Sequence, residues 1–128
     1  MNKNDVIQRL NELNFDKKEY WLITGGAMVL YGIREETGDI DLGCTTKMAD
    51  ELQKQGCSVS VMDNGMRKIA YADDVEIFEN WLCGEITEQE GFPVLSLNGL
   101  IEMKRQIGRE KDFRDIALIE QFSANKMQ

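Results

Sequence analysis

The sequence predicts an α+β fold, a mixed α/β arrangement in which helices cover a largely mixed or antiparallel sheet. Three observations carry this reading. Helical and strand periods alternate over about residues 5–55, in the order helix, strand, helix, strand, helix. A meander of short strand-like runs follows, punctuated by Asp63-Asn64-Gly65 and Asp73-Asp74. Two helical runs then close the chain, separated by Gly108.

The first helix is expected over residues 5–14, because Val6, Ile7, Leu10 and Leu13 share one face, and Asn4 is placed to cap it. Tyr20-Trp21-Leu22-Ile23 reads as a buried strand. It leads into Thr24-Gly25-Gly26 and a short helix over residues 27–31 that stops near Gly32. Residues 34–38 form a polar loop, and residues 39–42 alternate at period two as a half-buried strand. A helix over about residues 47–55 ends at Gly56, and residues 57–62 form a strand. Asn64-Gly65 signals a tight hairpin through its tolerance of positive φ. Residues 67–71 return as the partner strand, Asp73-Asp74 makes a solvated turn, and residues 75–78 form the next strand. After a loop, Ser96 caps a helix to about residue 107, and a last helix spans about residues 110–122.

At 128 residues the chain is expected to be a single domain, 1–128, burying roughly two-thirds of its unfolded surface. Hydrophobic residues make up 42% and charged residues 30%, which suits a globular rather than a disordered chain. No apolar run reaches the ~20 residues of a membrane span, and the opening residues lack the apolar stretch of a secretion signal. Cys44, Cys57 and Cys83 are odd in number and form no CxxC, so a reducing cytoplasm is expected. Fifteen basic against twenty-three acidic residues give a net charge of −8, which makes duplex nucleic acid a poor partner. The chain has no histidine. Ser-His-Asp and Cys-His nucleophilic sites and histidine-based metal centres are therefore excluded. Chemistry here must fall to carboxylates, Lys or Arg, with a hard cation that prefers oxygen ligands.

Asp39 and Asp41 stand at i and i+2 of a strand, so they share a face with Cα atoms roughly 7 Å apart. Two carboxylates so placed can ligate one divalent cation or bridge a pair. Ile40 and Leu42 would point into the core and fix their orientation. Thr24-Gly25-Gly26 runs from a strand end into a helix start, where backbone amides can approach a phosphate. Glu76, between Val75 and Ile77, completes a three-carboxylate cluster if its strand pairs beside that of Asp41; Asp74, two residues earlier, is its rival.

Gly25-Gly26, Asp39-Ile40-Asp41-Leu42 and Val75-Glu76-Ile77, in that order, resemble the three motifs of the nucleotidyltransferase superfamily. The run from Trp21 through Arg34 and Thr37 to Leu42 is similar to its small bacterial branch. That branch holds the aminoglycoside and lincosamide nucleotidyltransferases and the abortive-infection toxin group. Residues 93–97 with Lys104, Gly108, Arg109, Lys111, Asp112, Asp115 and Ile116 extend the likeness to about residues 20–120. The resemblance implies a nucleotidyltransferase-like mixed sheet covered by helices. It implies that Asp39 and Asp41 hold Mg2+ against the triphosphate of an NTP such as ATP. Glu76 would hold the metal nearer the acceptor hydroxyl and help deprotonate it. Gly25 and Gly26 would meet phosphates through backbone amides, and Thr24, Arg34, Thr37, Lys104, Arg109 and Lys111 would line the nucleotide site. The reaction implied is in-line attack of a hydroxyl of a small molecule or macromolecule on the α-phosphorus, releasing pyrophosphate. Glu76 is one methylene longer than the aspartate common at the third position.

Lys104 falls on the apolar stripe of Leu97, Leu100, Ile101 and Ile107, so it either meets an anion at a cleft or snorkels to solvent. Arg109 and Lys111 either face a nucleotide or pair with nearby carboxylates. Trp21 and Trp81 read as core or interface residues and the seven Met as core filler. Cys44 has no basic neighbour in sequence to make it reactive. The same fold would also serve a non-catalytic binding module, such as a toxin–antitoxin component or a regulatory partner. A homodimer could supply an acceptor site from its second copy.

Overall fold

A computed structural model describes residues 1–81 and 84–126 of the chain. Among these residues lie five helices and seven strands. They follow in order as α1 (Lys3–Leu13), β1 (Tyr20–Ile23), α2 (Thr24–Tyr31), β2 (Ile40–Cys44), α3 (Thr46–Lys54), β3 (Ser58–Val61), β4 (Arg67–Ala72), β5 (Val75–Glu79), β6 (Ile86–Gln89), β7 (Phe92–Leu95), α4 (Leu97–Ile107) and α5 (Glu110–Lys126). The strands form one mixed sheet in the order β3-β4-β5-β2-β1-β7-β6. β2 runs parallel to β5 and β1 parallel to β7, and the other neighbouring pairs are antiparallel. This is the α+β class that the alternation of periods predicts.

Cross-strand register explains why one face of the sheet is dry. Val94, Leu22, Leu42, Ile77 and Ile69 are successive partners across five strands, and all are fully buried. Each such side chain is worth about 1.5–3 kcal/mol relative to exposure. Helix α2 packs on β1 and β2, α1 packs on α2, and α3 lies beside β4. The next row, one residue along each strand, turns to the other face and reads Ile23, Asp41, Glu76, Ala70 and Ser58. The hydrophobic pattern therefore sets the register that lines up Asp41 with Glu76.

Several boundaries differ from the sequence reading. Helix α1 begins earlier, capped by Asn2 rather than Asn4: the Asn2 side chain accepts from the Asp5 amide while Asp5 accepts from the Asn2 amide. The hairpin between β3 and β4 turns through Asp63-Asn64-Gly65, bracketed by the Met62 amide donating to the Met66 carbonyl at 2.8 Å. Its carbonyl at Met62 accepts from Gly65, and only Gly65 takes a positive φ, of 85°. The Asp73-Asp74 turn is not simply solvated, because Asp74 accepts a bidentate pair from Arg9 at 2.8 and 3.0 Å. Strands β6 and β7 fall where the sequence suggested only a loop. Cys44 and Cys57 are free thiols; Cys83 lies outside the described residues. Among the described residues no helix is long and apolar enough to cross a membrane.

Candidate active site

The glycine pair does not form a turn before a helix. Strand β1 passes directly into α2 at Thr24, so Gly25 and Gly26 lie in the first helical turn, their amides among those left without intrahelical partners. The residue that makes the sharp change of direction is Thr24, with φ at 56°, a left-handed conformation that a β-branched side chain rarely adopts. Strain of this kind costs about 1–3 kcal/mol and persists only where the surroundings impose it. Here the Thr24 hydroxyl donates to Asp41 Oδ2 at 2.9 Å. The strained residue thus positions the carboxylate beside the helix start.

Gly25 is required by close approach rather than by φ. A Cβ there would lie 2.5 Å from Thr37 Oγ1 and 3.1 Å from an Arg34 guanidinium nitrogen. Thr37 in turn donates to the Asp39 carbonyl at 3.2 Å. Thr24, Gly25, Arg34, Thr37 and Asp39 therefore gather around one helix end. Gly43, two residues past Asp41, is needed for another reason: the buried Trp21 indole lies over it, where any side chain would clash.

Asp39 lies one residue before β2 rather than inside it, and is exposed. Asp41 is half-buried, and Ile40 and Leu42 on either side are fully buried, as the alternation requires. Parallel pairing sets Asp41 directly against Glu76. Burial raises the Asp41 pKa above its ordinary value, and the charges of Asp39 and Glu76 add to this, against the Thr24 hydrogen bond and Lys68. As the side chains stand, Glu76 is drawn to Lys68 at 2.9 Å. Among the described residues no group of three His, Cys, Asp or Glu side chains gathers closely enough to hold a metal ion. The donors themselves, two carboxylates paired across β2 and β5 and a third just before β2, fit a hard divalent cation in type. Asp74, the rival of Glu76, is committed to Arg9.

The basic residues form a separate network. Lys104 is 4% exposed and meets carboxylates: its Nζ lies 3.0 Å from Asp115 and 3.8 Å from Asp112. Arg109 grips Asp112 with a bidentate pair at 2.6 and 3.1 Å, which holds the Asp112 carboxyl below its ordinary pKa. Arg34 donates to Asp115 at 2.6 Å. Alternating charges therefore tie the Arg34 loop to α4 and α5. Lys111 is exposed on α5. Sequence reasoning singled out Lys104 because a lysine on an apolar stripe needs an anion. It did not find Asp112 and Asp115 as that anion, although both lie one helical repeat apart on the following helix.

A hollow of about 360 Å3 opens at the start of α4, lined by Glu85, Ser96, Asn98, Gly99, Glu102 and Gln106 among others. Gly99 lies against Leu95, which follows the Val94 partner of Leu22 and so shares the row of Ile23 and Asp41.

No protein-family model and no curated protein sequence matches the chain. Solved structures do. One is the lincosamide antibiotic adenylyltransferase LnuA with lincomycin bound. It has a TM-score of 0.55 and 13% identity, over 91% of this chain and 93% of that one. Another is ANT(2")-Ia in complex with adenylyl-2"-tobramycin, with a TM-score of 0.53 and 18% identity over 93% and 89%. These likenesses, each over about nine-tenths of the chain, show that it has a nucleotidyltransferase-like fold.

Proposed function

We propose that the chain is a Mg2+-dependent nucleotidyltransferase that moves a nucleoside monophosphate from an NTP to a hydroxyl acceptor. The observation that carries this reading is the register of β2 and β5, which sets Asp41 against Glu76 beside the strained start of α2. Asp39, Asp41 and Glu76 are the residues to hold the cation, which when bound neutralises phosphate charge and orients the triphosphate. The first-turn amides of α2 face an anionic phosphate favourably. Arg34, anchored by Asp115, stands over the same helix end as a further positive charge. The acceptor oxygen bonds to the α-phosphorus, the bond to the β-phosphate bridging oxygen breaks, and pyrophosphate leaves. Glu76 is the group proposed to help take the hydroxyl proton. Holding the partners in line supplies much of the rate, because the charge is spread over phosphate oxygens.

The two similar structures carry lincomycin and an adenylylated tobramycin, so small hydroxylated molecules are the first acceptors to try. The test is transfer of α-labelled nucleotide by the wild type and by Asp39→Asn and Asp41→Asn. Each variant is expected to lose transfer by at least about a hundredfold, the scale of losing a main electrostatic contributor. Failure of ATP, GTP, CTP and UTP alike to bind in the presence of Mg2+ would end this reading.

The Lys68–Glu76 pair favours a second reading, a binding module of the same fold that does not transfer. Nucleotide binding that is indifferent to Mg2+ and to both aspartate substitutions would select it.

A further inference from the structure

Glu76 has two directions open to it. On one side stands Asp41, its partner on β2. On the other stands β4, where Ala70 faces Glu76 and Lys68 faces Phe78. Lys68 and Glu76 are thus diagonal neighbours on one sheet face, with Cβ atoms roughly 7 Å apart. The small Ala70 leaves the space between them open. The lysine stem crosses it, with Nζ 5.8 Å from the centre of the Phe78 ring and 2.9 Å from Glu76 Oε2. Both side chains keep about two-fifths of their surface in solvent, 42% and 40%, so the pair can open without disturbing the core. As the side chains stand, Glu76 pairs with Lys68 and is not gathered with Asp39 and Asp41.

We propose that Lys68 is a tethered counter-ion for Glu76 that a divalent cation must displace, so that Lys68 sets cation affinity at the carboxylate face. This inference rests on the reading of that face as a cation-dependent transfer site. Three carboxylates without a counter-ion repel one another, and one ammonium group on Glu76 relieves the repulsion. A divalent cation relieves it more fully and frees Lys68. The lysine, already 5.8 Å from the centre of the Phe78 ring, is then left to that ring and to open solvent. Exposed ion pairs are weak, so displacement costs little. Lys68 acts through Glu76 and is a positioning residue.

The test is Mn2+ titration of the full chain without nucleotide, followed by the electron paramagnetic resonance of free Mn2+. Wild type, K68M, K68Q, E76Q and K68M/E76Q are compared. K68M and K68Q are expected to bind Mn2+ about twofold to fivefold more tightly than wild type, the range that release of one exposed ion pair allows. The gain is expected to vanish once residue 76 is glutamine. K68Q guards against a local packing effect of methionine. Equal or weaker binding by both lysine variants overturns the inference, as does a gain that persists in the E76Q background. Wild-type Mn2+ binding would in those cases leave the transfer reading standing, and absence of Mn2+ binding in all five proteins would overturn the inference while the transfer reading stands or falls on NTP binding with Mg2+.

Discussion

Asp41 shows most directly how a candidate functional residue strains against the fold that holds it. Its folded pKa lies above the unfolded value, chiefly through burial, so the native state binds a proton more tightly than the unfolded chain. The sign follows: the Asp41 carboxylate weakens the fold as pH rises through its folded pKa, and the penalty is absent below the ordinary carboxylate range. Asp41→Asn removes the charge but keeps an oxygen to accept from Thr24. It is expected to raise Tm at pH 7 and to lose that advantage as the pH falls below the ordinary carboxylate range. Melts of both proteins across pH 3–7 check this, and an unchanged Tm at pH 7 would contradict it. Asp41 was legible in the sequence because period-two alternation with Ile40 and Leu42 fixes its face. Thr24 was legible only in part. Its place between a strand and two glycines marked it for a phosphate, but the left-handed φ and the bond to Asp41 come from tertiary constraint.

Strands β4 and β5 are held together by more than their ladder. Arg67 meets the Glu79 carboxylate with its side chain at 3.0 and 2.7 Å and with its backbone amide at 3.1 Å. The same guanidinium reaches Asp50 at 2.8 Å and Gln53 at 3.0 Å, both on α3. Arg67 thereby joins two strands and a helix, and its hydrogen bonds hold the Glu79 pKa down to about 2. A depressed carboxylate stabilises above its unfolded value and loses that contribution as pH falls toward the folded one. Glu79 is thus expected to give about 2–3 kcal/mol of acid-sensitive stability, lost between roughly pH 4.5 and 2. Arg67→Met should cost about 3–5 kcal/mol, because it leaves Glu79 buried without its cation. Urea denaturation of the variant at pH 7 and pH 3 measures both, and equal losses at the two pH values would count against the pairing. None of this could be read in advance, since neither residue's pattern names a partner twelve positions away. Strands β6 and β7 were missed for a related reason. They are four residues each, β7 carries Pro93 and pairs with β1 some seventy residues upstream, and β6 pairs only with β7.

The described structure is tied together across its length by one chain of charges. Lys104 on α4, Asp112 and Asp115 on α5, and Arg34 in the loop before β2 bring the C-terminal helices onto the start of α2. Lys104→Met is expected to destabilise the protein by about 3 kcal/mol, near the lower end for a buried pair, since both aspartates keep an arginine. Lys104→Met with Asp115→Asn should lose less than the sum of the single changes, and a strictly additive pair in urea denaturation would rule out the coupling. Strands β1 to β5 and the Asp41–Glu76 row follow from local patterns: alternation, glycine stops and caps. The charge network does not, because ion pairs across elements carry no period. The sequence could therefore propose Arg34, Lys104 and Arg109 as positive groups without showing that Asp112 and Asp115 already engage them.

The central place of β1 bears on how the chain acquires this form. Its partner β2 arrives after some twenty residues, but its other partner, β7, arrives only after seventy, and closing that longer loop is entropically slower. The carboxylate row and the α2 junction belong to the early half. Pulse-labelled hydrogen exchange during refolding is expected to protect the amides of β1 and β2 before those of β6 and β7. Simultaneous protection would mean that the late strands join the nucleus. On this order of events, the edge of β1 waits bare until the last strands dock, and the newly made chain is most open to mispairing in that interval.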